Sequence, residues 1–147
     1  MSTVQKFDGW GIVFEQPEIQ VKLPADITDI SSENLGKLFT EITAWTDYIA
    51  TQVVTAQLNE RAALKEKDRL ENKLLVQRMG AGVRGERITA IKAEISVNQD
   101  VIDLDNEYEE KYAYRKGMEV FLNNLERDLS LVSREITRRS NEARKGY

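Results

Sequence analysis

Met118, Leu122, Leu125, Leu129, Val132 and Ile136 fall at intervals of 4, 3, 4, 3 and 4 residues. At this spacing apolar side chains line one edge of an α-helix, so the edge must press against another helix to leave water. Leu104, Tyr108 and Tyr112 extend the face upstream, and Val120, Phe121 and Leu131 widen it. A face wider than a two-stranded seam suits a bundle or a ring of subunits. The six seam residues are therefore expected to make the oligomer contacts, and Leu125→Asp is expected to break the assembly.

A second long helix is expected over 33–79. Leu35, Leu38, Ile42, Trp45, Ile49, Val53 and Ala56 recur at threes and fours, giving one apolar stripe. Ser31 or Ser32 is its candidate N-cap, because a short hydroxyl accepts from the orphan N–H groups of a first turn. Between Arg61 and Lys73 the stripe thins. Leu70, Leu74, Leu75 and Met79 restore it, and Gly80 is placed to end the helix. A short helix is expected over 86–96, a turn at Asn98, and the seam helix from about 100 to 143. Ahead of these, Ile19-Gln20-Val21-Lys22-Leu23 alternates as a strand does. Residues 1–30 thus read as an extended or β-hairpin arm closed by a polar linker after Pro24, and 31–147 as one helical domain. The expected class is mainly α, with long antiparallel helices in a coiled-coil-like bundle and a homo-oligomeric ring.

The composition agrees with helices. Charged residues make up 31% of the chain and aromatics 7%, with two prolines, and the 41% apolar content is too high for disorder. There is no cysteine and no histidine, which removes disulfides, Cys/His zinc sites, cysteine nucleophiles and histidine acid–base chemistry. No apolar run approaches the ~20 residues of a membrane span. The N-terminus shows no signal-type segment, so a soluble intracellular protein is expected.

Net charge is −4, so any affinity for a polyanion must be local. Residues 61–92 hold nine bases against four acids. Residues 94–110 hold seven acids and no base, and 134–147 hold five bases against two acids. Within the basic region, Lys65, Lys67, Arg69, Lys73, Arg78, Arg84, Arg87 and Lys92 are the candidate nucleic-acid contacts; Arg61–Lys65 reads as a repulsive i, i+4 pair. The glycine turn at 80–85 is no Walker loop, since Gly85 is followed by Glu86 and Arg87 and the segment follows a helix. A basic turn with bare backbone N–H groups is still suited to phosphates. Asp100, Asp103 and Asp105 lack the spacing of a calcium loop. The acidic run reads as a solvated face or as a charge partner for another subunit. Tyr108 and Tyr112 read as core, with Tyr114 and Trp10 as candidate exposed stackers. No catalytic constellation, cofactor motif or metal site is visible.

The order of parts resembles the UvsY-like recombination mediators of tailed phages. The likeness runs over roughly 35–143: a basic helix and glycine turn, then Ile91-Lys92-Ala93-Glu94-Ile95, then Asp100-Val101-Ile102-Asp103-Leu104, then a long helix with Asn123-Asn124 and a basic end. Such a membership implies a non-enzymatic protein that binds single-stranded DNA as a ring. It implies partners too: a RecA-like recombinase, loaded where a single-strand-binding protein already sits, in the cytoplasm of an infected bacterial host. The family's basic-x-basic-Leu stretch corresponds to Glu71-Asn72-Lys73-Leu74, with Lys73 at a basic position. Val76-Gln77 stand where the family carries aromatics, and Arg69, Arg78, Arg84 and Arg87 supply compensating charge. The competing expectation is a helical virion or assembly-chaperone component with the same seam and no DNA role.

Overall fold

The computed structural model describes residues 15–80 and 88–146. Of these, 86% are helical. A 3-10 turn (Ile27–Asp29) leads into α1 (Ser32–Gly80), α2 (Ile88–Ser96) and α3 (Gln99–Arg144). The chain is mainly α. Among the described residues there is no strand, so the alternation at 19–23 does not build the expected ladder. Trp10 and the first fourteen residues of the arm lie outside the described residues.

The two long helices, α1 and α3, each start on a side-chain cap. The Ser31 hydroxyl accepts from the Asn34 N–H at 3.2 Å, which settles the choice between the two serines. Asn98 Oδ1 accepts from the N–H groups of Asp100 and Val101 at 2.9 and 3.3 Å, so the interruption between α2 and α3 is a cap as well as a turn. Beyond α3, Gly146 takes a φ of 75°, the left-handed conformation that glycine adopts without a Cβ clash.

The chain divides into two compact units, one formed by residues up to Val54 with those from Met118 on, the other by Thr55–Gly117. In the first, α1 and α3 run antiparallel. Leu35, Leu38 and Ile42 cluster with Val132, flanked by Leu129 and Ile136. Ile49 and Val53 cluster with Leu125, flanked by Trp45, Met118 and Leu122. The seam is thus covered by the chain's own α1. Met118, Leu122, Leu125, Leu129, Val132 and Ile136 are core contacts here, because the nearest complementary stripe belongs to the same chain. Val120, Phe121 and Leu131, read from sequence as a widening of the same face, point elsewhere and stay exposed.

The segment before α1 is docked on this unit. The Trp45 indole N–H donates to the Ile19 carbonyl at 2.6 Å, and Val21, Leu23 and Ile30 pack on the first cluster. Ile27 is buried, so the expected polar linker is held down. Arg139 fastens it. Its guanidinium donates to the carbonyls of Ile27, Thr28 and Ile30 at 3.3, 3.2 and 2.7 Å and to the Ser32 hydroxyl at 3.1 Å. Its Nε donates to Glu135 at 2.9 Å. Glu135 is buried and also accepts two hydrogen bonds from Arg138. Those Arg138 bonds, with the one from Arg139, outweigh burial and hold its carboxyl down at about 2, against an ordinary 4.5. The basic tail is therefore partly an internal clamp.

In the second unit the buried apolar residues are smaller and fewer: Ala56, Ala63, Ile91 and Val101. Ion pairs flank them. Lys67 Nζ lies 2.8 Å from Asp105 and Arg115 pairs through two nitrogens with Glu60, both pairs running antiparallel between α1 and α3. Arg78 joins Glu94 of α2 at 3.2 Å. The acidic run 94–110 thus finds two of its charge partners within its own chain. Tyr112 departs from its expected core position. It is 38% exposed, with Arg115 and Lys116 over its ring at 5.2 and 5.7 Å. Four residues after Tyr108 it has turned about 40° further round the helix.

Two outcomes follow from the first unit. Leu125→Ala is expected to cost about 2–5 kcal/mol, since it opens a cavity between α1 and α3, and urea unfolding followed by circular dichroism checks it. Glu135→Gln removes a carboxylate whose folded-state value is depressed. The stability gap between wild type and variant should be full above about pH 5 and close as pH falls from 4.5 toward 2, read from unfolding midpoints across that range.

Candidate nucleic-acid interface

The part of α1 in the second unit has two different faces. Ala56, Ala63, Leu70 and Leu74 turn inward with Glu60 and Lys67, all buried or half-buried. The opposite face carries Leu58, Arg61, Lys65, Arg69, Asn72 and Val76, at intervals of 3, 4, 4, 3 and 4 residues. Side chains so spaced share one side of a helix. All six are exposed, Leu58 by 57% and Val76 by 70%. Lys73 stands beside the end of this row, also exposed.

Arg61, Lys65, Arg69 and Lys73 make no ion pair among the described residues. Their three successive i, i+4 contacts are like-charge contacts, each opposing the helix by about 0.2–0.5 kcal/mol. Glu66 and Asp68 flank the row and temper its field without bonding to it. The packing of the inner face carries the helix through this stretch. An anionic chain laid along the outer face would relieve the repulsion and release counterions.

The structure sorts the eight cations expected at this interface. Lys65, Arg69 and Lys73 form the outward row. Lys67 is turned inward, held by Asp105 and lying 3.7 Å from Glu71; its hydrogen bond to Asp105 raises its pKa above the usual lysine value. Arg78 is occupied by Glu94. Lys92 edges a cleft between α1 and α2 together with Glu71, Asn72, Leu75, Ile95 and Ser96. Arg84 and Arg87 lie outside the described residues. Arg61, absent from the expected set, belongs to the row. The signal for it was the repulsive spacing to Lys65, which continues unbroken to Lys73.

Among the described residues no group of three carboxylates is placed to hold a metal ion. Among the same residues no helix is long and apolar enough to cross a membrane. No family model matches the chain, and no significant match was found among curated proteins or solved structures.

The two kinds of lysine are separable by experiment. Lys67→Ala is expected to lower stability by about 1 kcal/mol through the loss of a charged hydrogen bond. Lys65→Ala should stay within about 0.5 kcal/mol of wild type. Thermal unfolding of the two variants side by side reads the difference.

Proposed function

We propose that this protein binds single-stranded DNA as a non-enzymatic recombination mediator. It acts as a homo-oligomer that helps load a RecA-like recombinase where a single-strand-binding protein already occupies the strand. The observation that carries the reading is the row Arg61, Lys65, Arg69 and Lys73, exposed and free of ion pairs among the described residues on an otherwise acidic protein. The resemblance of residues 35–143 to UvsY-like mediators supplies the biological setting, including the cytoplasm of an infected bacterial host. The work asked of such a protein is a difference in affinity between competing assemblies on DNA, which needs a binding surface and no reacting group.

The helix seam is spent inside the chain, so the oligomer contacts in this reading move to the outward row of Val120, Phe121 and Leu131. The same exposed residues favour the second reading, a helical virion or assembly-chaperone component that associates without DNA. Anisotropy of a labelled single-stranded oligonucleotide, titrated at low and moderate salt, decides between them. The mediator reading expects affinity that falls steeply with salt, exceeds that for duplex, and drops when Arg69 and Lys73 are both changed to glutamine. An oligomeric protein with no strand binding at low salt would favour the assembly reading.

A further inference from the structure

We infer that the second unit carries a contact between copies of this chain, in which the outer face of α1 in one copy meets an acidic stripe on α3 of the next. The contact adds to the one proposed for Val120, Phe121 and Leu131 in the first unit, and it stands without the strand reading. Leu58, Ala62, Lys65, Arg69, Asn72 and Val76 follow one another on α1 at intervals of 4, 3, 4, 3 and 4 residues. Asp100, Asp103, Glu107, Glu110 and Tyr114 follow on α3 at 3, 4, 3 and 4. Alternating threes and fours average about 3.5 residues, close to one helical turn, so each set keeps to one nearly straight stripe. Every one of these side chains is exposed, Leu58 by 57% and Tyr114 by 53%. The fold uses neither stripe. The inward positions of α3 are Val101, Leu104, Asp105 and Tyr108, and Asp105 is the carboxylate that holds Lys67. Asp103 accepts a hydrogen bond from the Gln99 amide at 2.9 Å, but Asp100, Asp103, Glu107 and Glu110 make no ion pair among the described residues.

Two stripes of this pattern mesh when their helices run antiparallel. With Leu58 set against Tyr114, the rest follow: Ala62 faces Glu110, Lys65 faces Glu107, Arg69 faces Asp103 and Asn72 faces Asp100. The residue numbers in every pair add to 172. Lys67 and Asp105, which join α1 to α3 inside the chain, add to the same value. A neighbour's α3 therefore reaches this register with no slide along the helix axis. Two opposite-charge pairs form the middle of the contact, and an apolar pair closes one end. Arg61 and Lys73 lie about 60° to either side of the α1 stripe, at the levels of Glu110 and Asp100. Each charged stripe repels itself while alone, and the pairing relieves both at once. The two faces differ, so the contact is heterologous: every copy keeps one free stripe of each sign until the assembly closes. A strand on the outer face of α1 and a neighbour's α3 exclude one another there.

Sedimentation velocity of the full chain at low salt tests the pairing. Lys65→Glu with Arg69→Glu makes one variant, and Asp103→Lys with Glu107→Lys makes the other. Each alone sets like charges across the contact and should lose at least half of the wild-type mass. In an equal mixture the reversed stripes match each other and the unchanged stripes match too. The mixture should therefore regain a mass at least twofold above that of either variant alone. Wild-type mass should fall as salt rises, because exposed charges are screened. The uncharged pair Asp103→Asn with Glu107→Gln, milder for the helix, should weaken assembly several-fold. Glu109→Lys, on α3 but off the stripe, should leave the mass unchanged. A wild type that is monomeric at low salt overturns the inference. So do reversed variants that keep the wild-type mass, a mixture that stays at the mass of its parts, or a Glu109→Lys loss as large as that of the stripe variants. Circular dichroism of each variant, matched to wild type, excludes unfolding as the cause. Strand binding is read separately: the Asp103→Lys, Glu107→Lys variant keeps its α1 cations, so its failure to bind an oligonucleotide counts against the mediator reading and leaves the pairing standing.

Discussion

The contact between the inner stripes of α1 and α3 is the interaction on which the first unit depends. Leu35, Ile42 and Val132 are almost wholly enclosed, the largest side chains so buried among the described residues. Once the two stripes meet, the remaining features of the unit have a surface to form on. The docked segment gains apolar contacts for Val21, Leu23 and Ile30. Arg139 comes within reach of the carbonyls at 27, 28 and 30, and Glu135 is enclosed with two guanidiniums at hand. Glu135 buried without them would pay the cost of an unpaired charge.

The second unit uses a different balance. Alanines at 56 and 63 bury little area, and the helices there are also tied by charge: Glu60 to Arg115, Lys67 to Asp105, Arg78 to Glu94. These pairs consume cations that a residue count would assign to a polyanion site. Of the described bases on α1 from Arg61 on, Lys67 and Arg78 pair with acids of the fold, and Arg61, Lys65, Arg69 and Lys73 make no ion pair among the described residues. Helix phase makes this division. Lys65 and Lys67 are two residues apart and of the same type, yet they lie on different faces and do different things.

Much of this was legible in the sequence and some was not, for physical reasons. The helices from Ser32 and from Gln99 were visible because a 3.6-residue period, a serine or asparagine cap and a glycine end are local signals. The heptad seam was equally visible, but periodicity states only that a face must be covered. Whether α1 or another subunit covers it is a question of tertiary proximity. The alternation at 19–23 failed as a strand signal because Val21 and Leu23 need only alternate contact with a helix surface, which an irregular segment supplies. Tyr112 was misplaced because its ring found cations instead of aliphatic neighbours. Arg61 was overlooked because a repulsive pair reads as a defect until the next two members of the row are seen on the same exposed face.

A helix surface that repels itself asks what would relieve it. In the first unit the question is answered internally, with Glu135 set between Arg138 and Arg139 and Glu142 within reach of Arg138. In the second, the acids that relieve Lys67 and Arg78 lie on α3 and α2, and both are on the inner side of α1. The outer row is offered only Glu66 and Asp68, one residue out of phase on either side. The row makes no ion pair among the described residues, and its four positive charges follow a ridge of α1 that turns about 40° round the helix at each step. That unrelieved like-charge repulsion on the outer face of α1 is the physical content of the proposal that this face meets a polyanion.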